Sequence, residues 1–269
     1  MSNTSLNKSK AAKNDEYYTR LEDIEKELVY YSPYLKGKKV VCNCDSEASM
    51  FWTYFTTNYD SLGLKGLTAT HYDPNGTYKL DYINGQTVKT AVSGDGSYNS
   101  PTSKAILKDA DIVITNPPFS LFRDFVDTIK DKDFIIIGCI NAVTYGNVFP
   151  MFKAGQIRLG YTTLRYYVTP DGTVKELGST SWFTTLPVTR QELVLTATYS
   201  PTDYPTYSNY PAINVNKVKD IPSDYKGLMG VPVNFLTKHC SSQFRIVDRL
   251  NNPKLGEKTI YKRVIIERI

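Results

Sequence analysis

The stretch Asp111–Phe122, "DIVITNPPFSLF", decides how this chain is read. Asp111-Ile112-Val113-Ile114-Thr115 is a short, β-branched, apolar run, the composition of a buried strand. Pro117 and Pro118 must end it, because proline has no N–H to give to a ladder. Asn116 is then held at the strand's C-terminal edge, which in an open α/β sheet is where ligands bind.

Strand and helix patterns alternate around this run. Leu21, Ile24, Leu28 and Tyr31 recur at helical spacing, and Thr19 with Glu22 fits a capping box opening a helix over 19–31. "KKVVCNCD" (38–45) is a strand, 46–59 a helix and "LKGLTATHYD" (64–73) the next strand. Asn84-Gly85 between two alternating segments predicts a hairpin over 77–92. A short helix at 102–109, the strand 111–115, a helix over 120–130, the strand 133–140 and a helix over 147–153 follow. This order predicts an α/β fold, a Rossmann-like doubly wound parallel sheet. Beyond about residue 160 the texture changes to Tyr, Thr, Pro and Ser with short strands such as "ELVLTATY" (192–199). A smaller, loop-rich mixed or β region is expected there. The expected organisation is a polar, mobile tail over 1–12, a catalytic domain over 13–160 and a second region over 161–269.

Bulk properties narrow the function. At 269 residues and 41% hydrophobic content the chain suits one large domain, or one plus a smaller one. The apolar runs are too short for a membrane span, and the N-terminus lacks the apolar core of a signal peptide. Residues 1–150 carry sixteen Lys and Arg against eighteen Asp and Glu, a net of −2, whereas 151–269 carry +7. A near-neutral first half joined to a basic second half suggests a part that meets a polyanion. Cys42, Cys44, Cys139 and Cys240 contain no CxxC pair, and the only histidines are His71 and His239. No metal site is expected; reduced thiols of a cytoplasmic protein are the better reading.

Asn116-Pro117-Pro118-Phe119 carries a specific chemistry. An amino group conjugated to an aromatic ring is a poor nucleophile, since its lone pair is delocalised. Two acceptors aimed at its hydrogens favour the tetrahedral nitrogen that attacks an electrophile. The Asn116 side-chain oxygen and the Pro117 carbonyl can serve, with the prolines fixing direction, while Phe119 offers a face for a planar base. Only positioning is needed, not a histidine or a metal.

Asn-Pro-Pro-Phe after an apolar strand resembles the motif of amino-group methyltransferases that use S-adenosyl-L-methionine. It is also similar to the motif of enzymes that methylate glutamine amides. "KNDEYYT" (13–19) resembles the N-terminal cofactor segment of adenine-specific DNA methyltransferases. Together with "VVCNCDSEASMFWTYF" (40–55), "THYD" (70–73), "ITNPPFSLFR" (114–123), "NAVTYGNVFPMFKAGQIRLG" (141–160), "SWFTTL" (181–186) and "GVPVNFLTKHCSSQFRIV" (230–247), the set is similar to the EcoRI-type modification methyltransferases from about residue 13 to the end. The resemblance implies S-adenosyl-L-methionine as cofactor and duplex DNA as partner. The motif order, cofactor segment before catalytic motif before C-terminal region, is compatible with a monomer, and a cognate restriction endonuclease encoded nearby is a candidate partner. By the same resemblance Asn116, Pro117, Pro118 and Phe119 hold the target adenine. Asn14, Tyr18 and Thr19 lie in the segment at the cofactor's methionine end, Cys44 and Asp45 where its pocket begins, Asp73 at its ribose and Asp95 near its adenine, with Asn116 bordering it. Asp45 as a helix N-cap and Asp95 as a turn residue remain open alternatives. The glycine-rich turn usual after the first strand is absent from "NCDSEAS".

A base inside a duplex must be flipped to reach such a pocket, which costs a few kcal/mol and requires a wide interface. Lys153, Arg158, Arg165, Arg190, Lys217, Lys219 and Lys238 are the cations expected to meet phosphates or, in part, bases. Trp182 reads as core rather than as a wedge. The leading reading is a DNA adenine-N6 methyltransferase. The alternatives are transfer to RNA adenine or protein glutamine, and a catalytically silent nucleic-acid-binding relative.

Overall fold

The computed structural model describes residues 17–73 and 76–269, so the expected tail over 1–12 and Asn14 lie outside the described residues. The chain forms two compact units, one comprising the residues up to Cys139 with Gly160–Leu186, the other Ile140–Leu159 with Pro187–Ile269.

The first unit is built on a nine-stranded sheet. Its centre is four parallel strands in the order β7 (Asp133–Cys139), β6 (Ile112–Thr115), β2 (Lys39–Cys42), β3 (Gly66–Thr70). Every residue of β6 is buried, as its β-branched run requires. The hairpin β4 (Tyr78–Ile83) and β5 (Gln86–Ala91) extends the β3 edge antiparallel. Its turn places Asn84 at φ 51° and Gly85 at φ 77°, the two positive values that a two-residue turn of this type needs. On the other side β9 (Val174–Thr184) runs antiparallel to β7, with Trp182 opposite Ile137 and fully buried. Strand β8 (Arg158–Val168) completes the hairpin with β9, and β1 (Tyr18–Thr19) pairs antiparallel with the end of β8. The fold class is as expected, with antiparallel strands flanking the parallel core.

The helices follow the apolar spacing. In α6 (Phe122–Ile129) the buried residues are Phe122, Phe125, Val126 and Ile129, one stripe at i, i+3, i+4, i+7. Helix α5 (Pro101–Lys108) is capped by Ser100. The expected 19–31 helix is α1 (Leu21–Leu28), continued by a 3-10 turn over Val29–Tyr31 and the short α2 (Ser32–Leu35). Its capping box does not form. Thr19 is committed to strand pairing with Tyr167, and Arg20 holds the N-cap position while its side chain bonds Asp23 at 2.9 Å. The expected 46–59 helix is α3 (Met50–Thr57), followed by α4 (Tyr59–Leu62). One buried group ties α1 to β8. Glu27 accepts from the Tyr31 hydroxyl (2.8 Å), the Tyr161 and Thr162 N–H groups (2.8 and 2.6 Å) and the Thr162 hydroxyl (2.7 Å). Burial pushes its carboxyl above the ordinary range despite these donors. A Cβ on Gly160 would overlap Glu27 Oε1, so the close approach requires glycine there.

The second unit carries helix α7 (Phe149–Lys153) and a four-stranded sheet in the order β10 (Ile213–Asn214), β11 (Met229–Pro232), β15 (Arg263–Arg268), β12 (Phe244–Leu250), with a small hairpin of β13 (Lys254–Leu255) and β14 (Lys258–Thr259). Tyr207, Ala212 and Ile265 centre a hydrophobic cluster. The strand expected over 192–199 does not form; only Ala197 makes an isolated bridge, to Pro222. The reason is a tertiary contact. The Gln243 side-chain amide takes both backbone groups of Leu193, each at 2.8 Å, in place of a neighbouring strand, and Val194 is 91% exposed. The units also differ from the boundary expected at 160/161. Most of β8 and all of β9 belong with the first sheet, where β9 buries Trp182 and Phe183 against β7, and Ile140–Leu159 belongs with the second unit.

Candidate active site

The strand order reverses at β2, whose successors lie on opposite sides of it: β3 on one side, β6 and β7 on the other. The crevice of such a sheet opens at the C-terminal ends of these strands. Asn43-Cys44-Asp45 follows β2, His71-Tyr72-Asp73 follows β3 and Asn116-Pro117-Pro118-Phe119 follows β6. Since β8 leads into β9 through a hairpin and β9 opposes β7, the C-terminal end of β8 and the paired Tyr18–Thr19 reach the same edge.

Asp45 braces the two central strand ends. Its carboxylate accepts from the Ser49 hydroxyl at 2.6 Å and from the Thr115 hydroxyl, and its own N–H donates to the Thr70 carbonyl at 3.0 Å. The Thr115 oxygen also accepts from Cys44 N–H at 3.2 Å. Burial pushes the Asp45 carboxyl up to about 6, against the hydrogen bonds from Ser49, Thr115 and the Asn116 backbone. The N-cap alternative is set aside, because Ser49 caps α3 by accepting from Phe51 N–H at 3.1 Å. Burial likewise pushes the Cys44 thiol up, so it is no thiolate near neutrality.

Asn116 is held in one orientation. Its Nδ2 donates to the Tyr17 carbonyl at 2.6 Å, and a carbonyl can only accept, so Oδ1 is the atom presented elsewhere. That oxygen is buried and unpaired. Three rings from the neighbouring segments pack together. Phe119 stacks with Tyr17 at 6.1 Å between centroids, and each meets Tyr167 edge-on. Downstream, Leu121 N–H takes the Pro118 carbonyl at 2.9 Å and closes the 3-10 turn into α6.

The expected cofactor residues fall into two groups. Asp45, Cys44 and Asn116 are brought together. Thr19 lies at the same edge with its hydroxyl buried and unpaired, whereas Tyr18 is 47% exposed. Asp73 N–H bonds the Asp95 carbonyl at 3.0 Å, so these two segments meet through backbone. Asp95 is exposed, and its carboxylate accepts from Ser97 N–H at 2.9 Å, the turn alternative. Both polar atoms of Asn43, Thr70 Oγ1 and His71 Nδ1 are also buried without partners. Orphaned donors and acceptors of this kind are costly unless a ligand completes them, so the edge fits a polar cofactor rich in hydroxyl, amino and carboxylate groups. Among the described residues no group of three His, Cys, Asp or Glu could hold a metal ion, and no helix is long and apolar enough to cross a membrane.

Sequence reasoning missed Tyr17, Asn43, Ser49 and Thr115. Tyr17 lies inside the quoted N-terminal motif, but nothing in a linear pattern shows that its carbonyl meets Asn116. Of the expected DNA-contacting cations, Lys153, Lys217, Lys219 and Lys238 are exposed on the second unit, and Arg158 and Arg190 are half-buried there. Arg165 instead lies on β8 of the first unit, paired with Glu176 at 2.6 Å.

A family model described as "Adenine-specific methyltransferase EcoRI" matches residues 5–267. Type II methyltransferase M.EcoRI of Escherichia coli is 39% identical, over 91% of this chain and 89% of that protein. Type II methyltransferase M.MpnI of Mycoplasma pneumoniae is 38% identical over 92% and 86%, and a third Type II methyltransferase, from Mycoplasma genitalium, 36% over 92% and 87%. No solved structure matches. With an Asn-Pro-Pro-Phe turn at the strand-order reversal and a family match along nearly its whole length, the chain belongs to the EcoRI family of adenine-specific methyltransferases and is a site-specific DNA adenine methyltransferase.

Proposed function

We propose that the chain methylates the N6 amino group of an adenine flipped out of duplex DNA, with S-adenosyl-L-methionine as donor, and that Asn116, Pro117, Phe119 and Tyr17 form the target-base site. The observation that carries this reading is the Asn116 amide, anchored through Nδ2 at 2.6 Å with Oδ1 buried and unpaired. Oδ1 accepts one N6 hydrogen and the Pro117 carbonyl the other. The pair withdraws the nitrogen lone pair from the ring and stabilises the positive charge that develops on N6. Phe119 supports the base from one face. Tyr17 acts as a positioning residue, because its carbonyl decides which end of the Asn116 amide faces the substrate.

The donor supplies an activated methyl group for direct in-line displacement. Asn43, Asp45, Thr19, Asp73 and the backbone after β2 are the groups that would hold it, with Asp95 at the rim. The cations of the second unit neutralise phosphates, in keeping with the +7 balance of residues 151–269. The enzyme works as a cytoplasmic monomer beside a cognate endonuclease.

The test is methyl transfer from labelled S-adenosyl-L-methionine to mixed-sequence duplex DNA, with products resolved as modified nucleosides. N6-methyladenine is expected, and Asn116→Ala should abolish it while sparing DNA binding. Transfer by Asn116→Ala at the wild-type rate would remove the assignment.

A further inference from the structure

The second unit contains a half-open cavity of about 330 Å³ that the adenine chemistry does not use. Two arginines, Arg158 and Arg190, line it together with Thr189, Ser241 and Ser242, and no Asp or Glu is among the lining residues. Arg190 Nη2 donates to the Leu159 carbonyl at 3.3 Å, which holds the guanidinium in place at the wall. His239 in the same wall is tied through Nε2 to the Phe244 carbonyl at 2.8 Å. The carboxylate of Glu192, an exposed residue, accepts from the lining Ser242 at 3.1 Å. The remaining wall is apolar, with Ile157, Val188 and Leu236 contributing.

The geometry points to a backbone-binding pocket for one strand of DNA: Arg158 and Arg190 take a phosphate, the Ser241 hydroxyl adds a donor, and the apolar wall receives the flanking deoxyribose. This rests on the DNA reading above and narrows it from a diffuse basic surface to one half-open contact. Arginine suits the role because its planar fork pairs two phosphate oxygens at once. Deoxyribose, lacking a 2′-hydroxyl, tolerates an apolar wall where ribose would leave a polar group unmatched. The volume is at the lower end of ligand pockets, which run from about 300 to 1,000 Å³, so it accommodates a sugar-phosphate segment and excludes a duplex.

The experiment measures binding of a mixed-sequence duplex pool, and of a duplex shown to be methylated, as a function of salt. It compares wild type with Arg158→Gln, Arg190→Gln and Ser241→Asp. Each arginine variant should weaken both DNAs alike and lower the slope of log affinity against log salt by about one, the signature of one lost phosphate contact. Ser241→Asp replaces that hydroxyl donor with a negative charge on an exposed residue and should weaken both DNAs without loss of thermal stability. KM for DNA should rise with kcat at saturation unchanged. Unaltered affinity and slope in all three folded variants, with wild type active on DNA, would overturn the pocket and leave the function standing. A loss confined to the methylated duplex, with an unchanged slope, would overturn the phosphate assignment in favour of base reading. Absence of any transfer to DNA by wild type would instead strike the function itself.

Discussion

Asp45 offers a quantitative test, because its neutral form is favoured by folding. The perturbation is Asp45→Asn, followed as a difference from wild type across pH. The carboxyl moves from the ordinary 3.8 up to about 6, and the residue is 6% exposed, so solvent screening takes little from the effect. Each pKa unit is about 1.4 kcal/mol, which makes the full effect about 3 kcal/mol. A raised folded-state pKa means the folded protein binds the proton more tightly. The stabilisation is therefore complete below the unfolded value and is lost as pH rises through about 6. Between about pH 4.5 and 7.5 the wild type should lose about 2 kcal/mol from this group alone. Asparagine does not titrate, so the fixed costs of the substitution cancel in the pH difference. Urea unfolding of both proteins without cofactor should give ΔG curves that converge, or cross, toward neutral pH in favour of the variant, with equal m-values. Parallel curves would mean that burial does not control this carboxyl, and that Asp45 is ionised throughout as a ligand-binding acid of ordinary strength.

Three further outcomes are expected. Phe119→Ala should lower kcat/KM roughly ten- to a hundredfold, the worth of about 1–3 kcal/mol of base stacking, with Phe119→Tyr restoring most of it in the methyl-transfer assay. Tyr17→Ala should loosen the segment whose carbonyl orients Asn116 and lower kcat about tenfold or more at saturating DNA, while Tyr17→Phe leaves kcat near wild type. Glu27→Gln puts an N–H donor among four donors that now converge on a carboxylate, and should cost about 1–3 kcal/mol in urea unfolding without altering the activity of the folded enzyme.

The parts legible in the sequence are those whose physics is local. The β-branched run before Asn116 is buried as its composition requires, and the Asn84-Gly85 hairpin adopts the two positive φ values that its residues permit. The apolar spacing of α6 likewise appears in its register. The capping box at Thr19 failed because a pairing partner about 150 residues away, Tyr167, claimed that residue's backbone. The strand over 192–199 failed because Gln243, fifty residues downstream, supplies with one side chain the hydrogen bonds a neighbouring strand would have given.

The site divides along the same line. The position of Asn116 at the strand end could be read from its own neighbours, since two prolines after a buried strand leave few other conformations. Its orientation could not, because that depends on the Tyr17 carbonyl, ninety-nine residues earlier in the chain. An aspartate at position 116 would keep acceptors for N6 but set a carboxylate oxygen against that carbonyl, where no donor remains. The amide therefore fits this sequence better than the acid: one end satisfies the Tyr17 carbonyl and the other stays open for the role proposed for it. Order in the segment around Tyr17 and the poise of the amide are consequently one property. The orientation of the Asn116 oxygen, the acceptor in the proposed mechanism, is set by a backbone contact that no pattern in residues 111–122 contains.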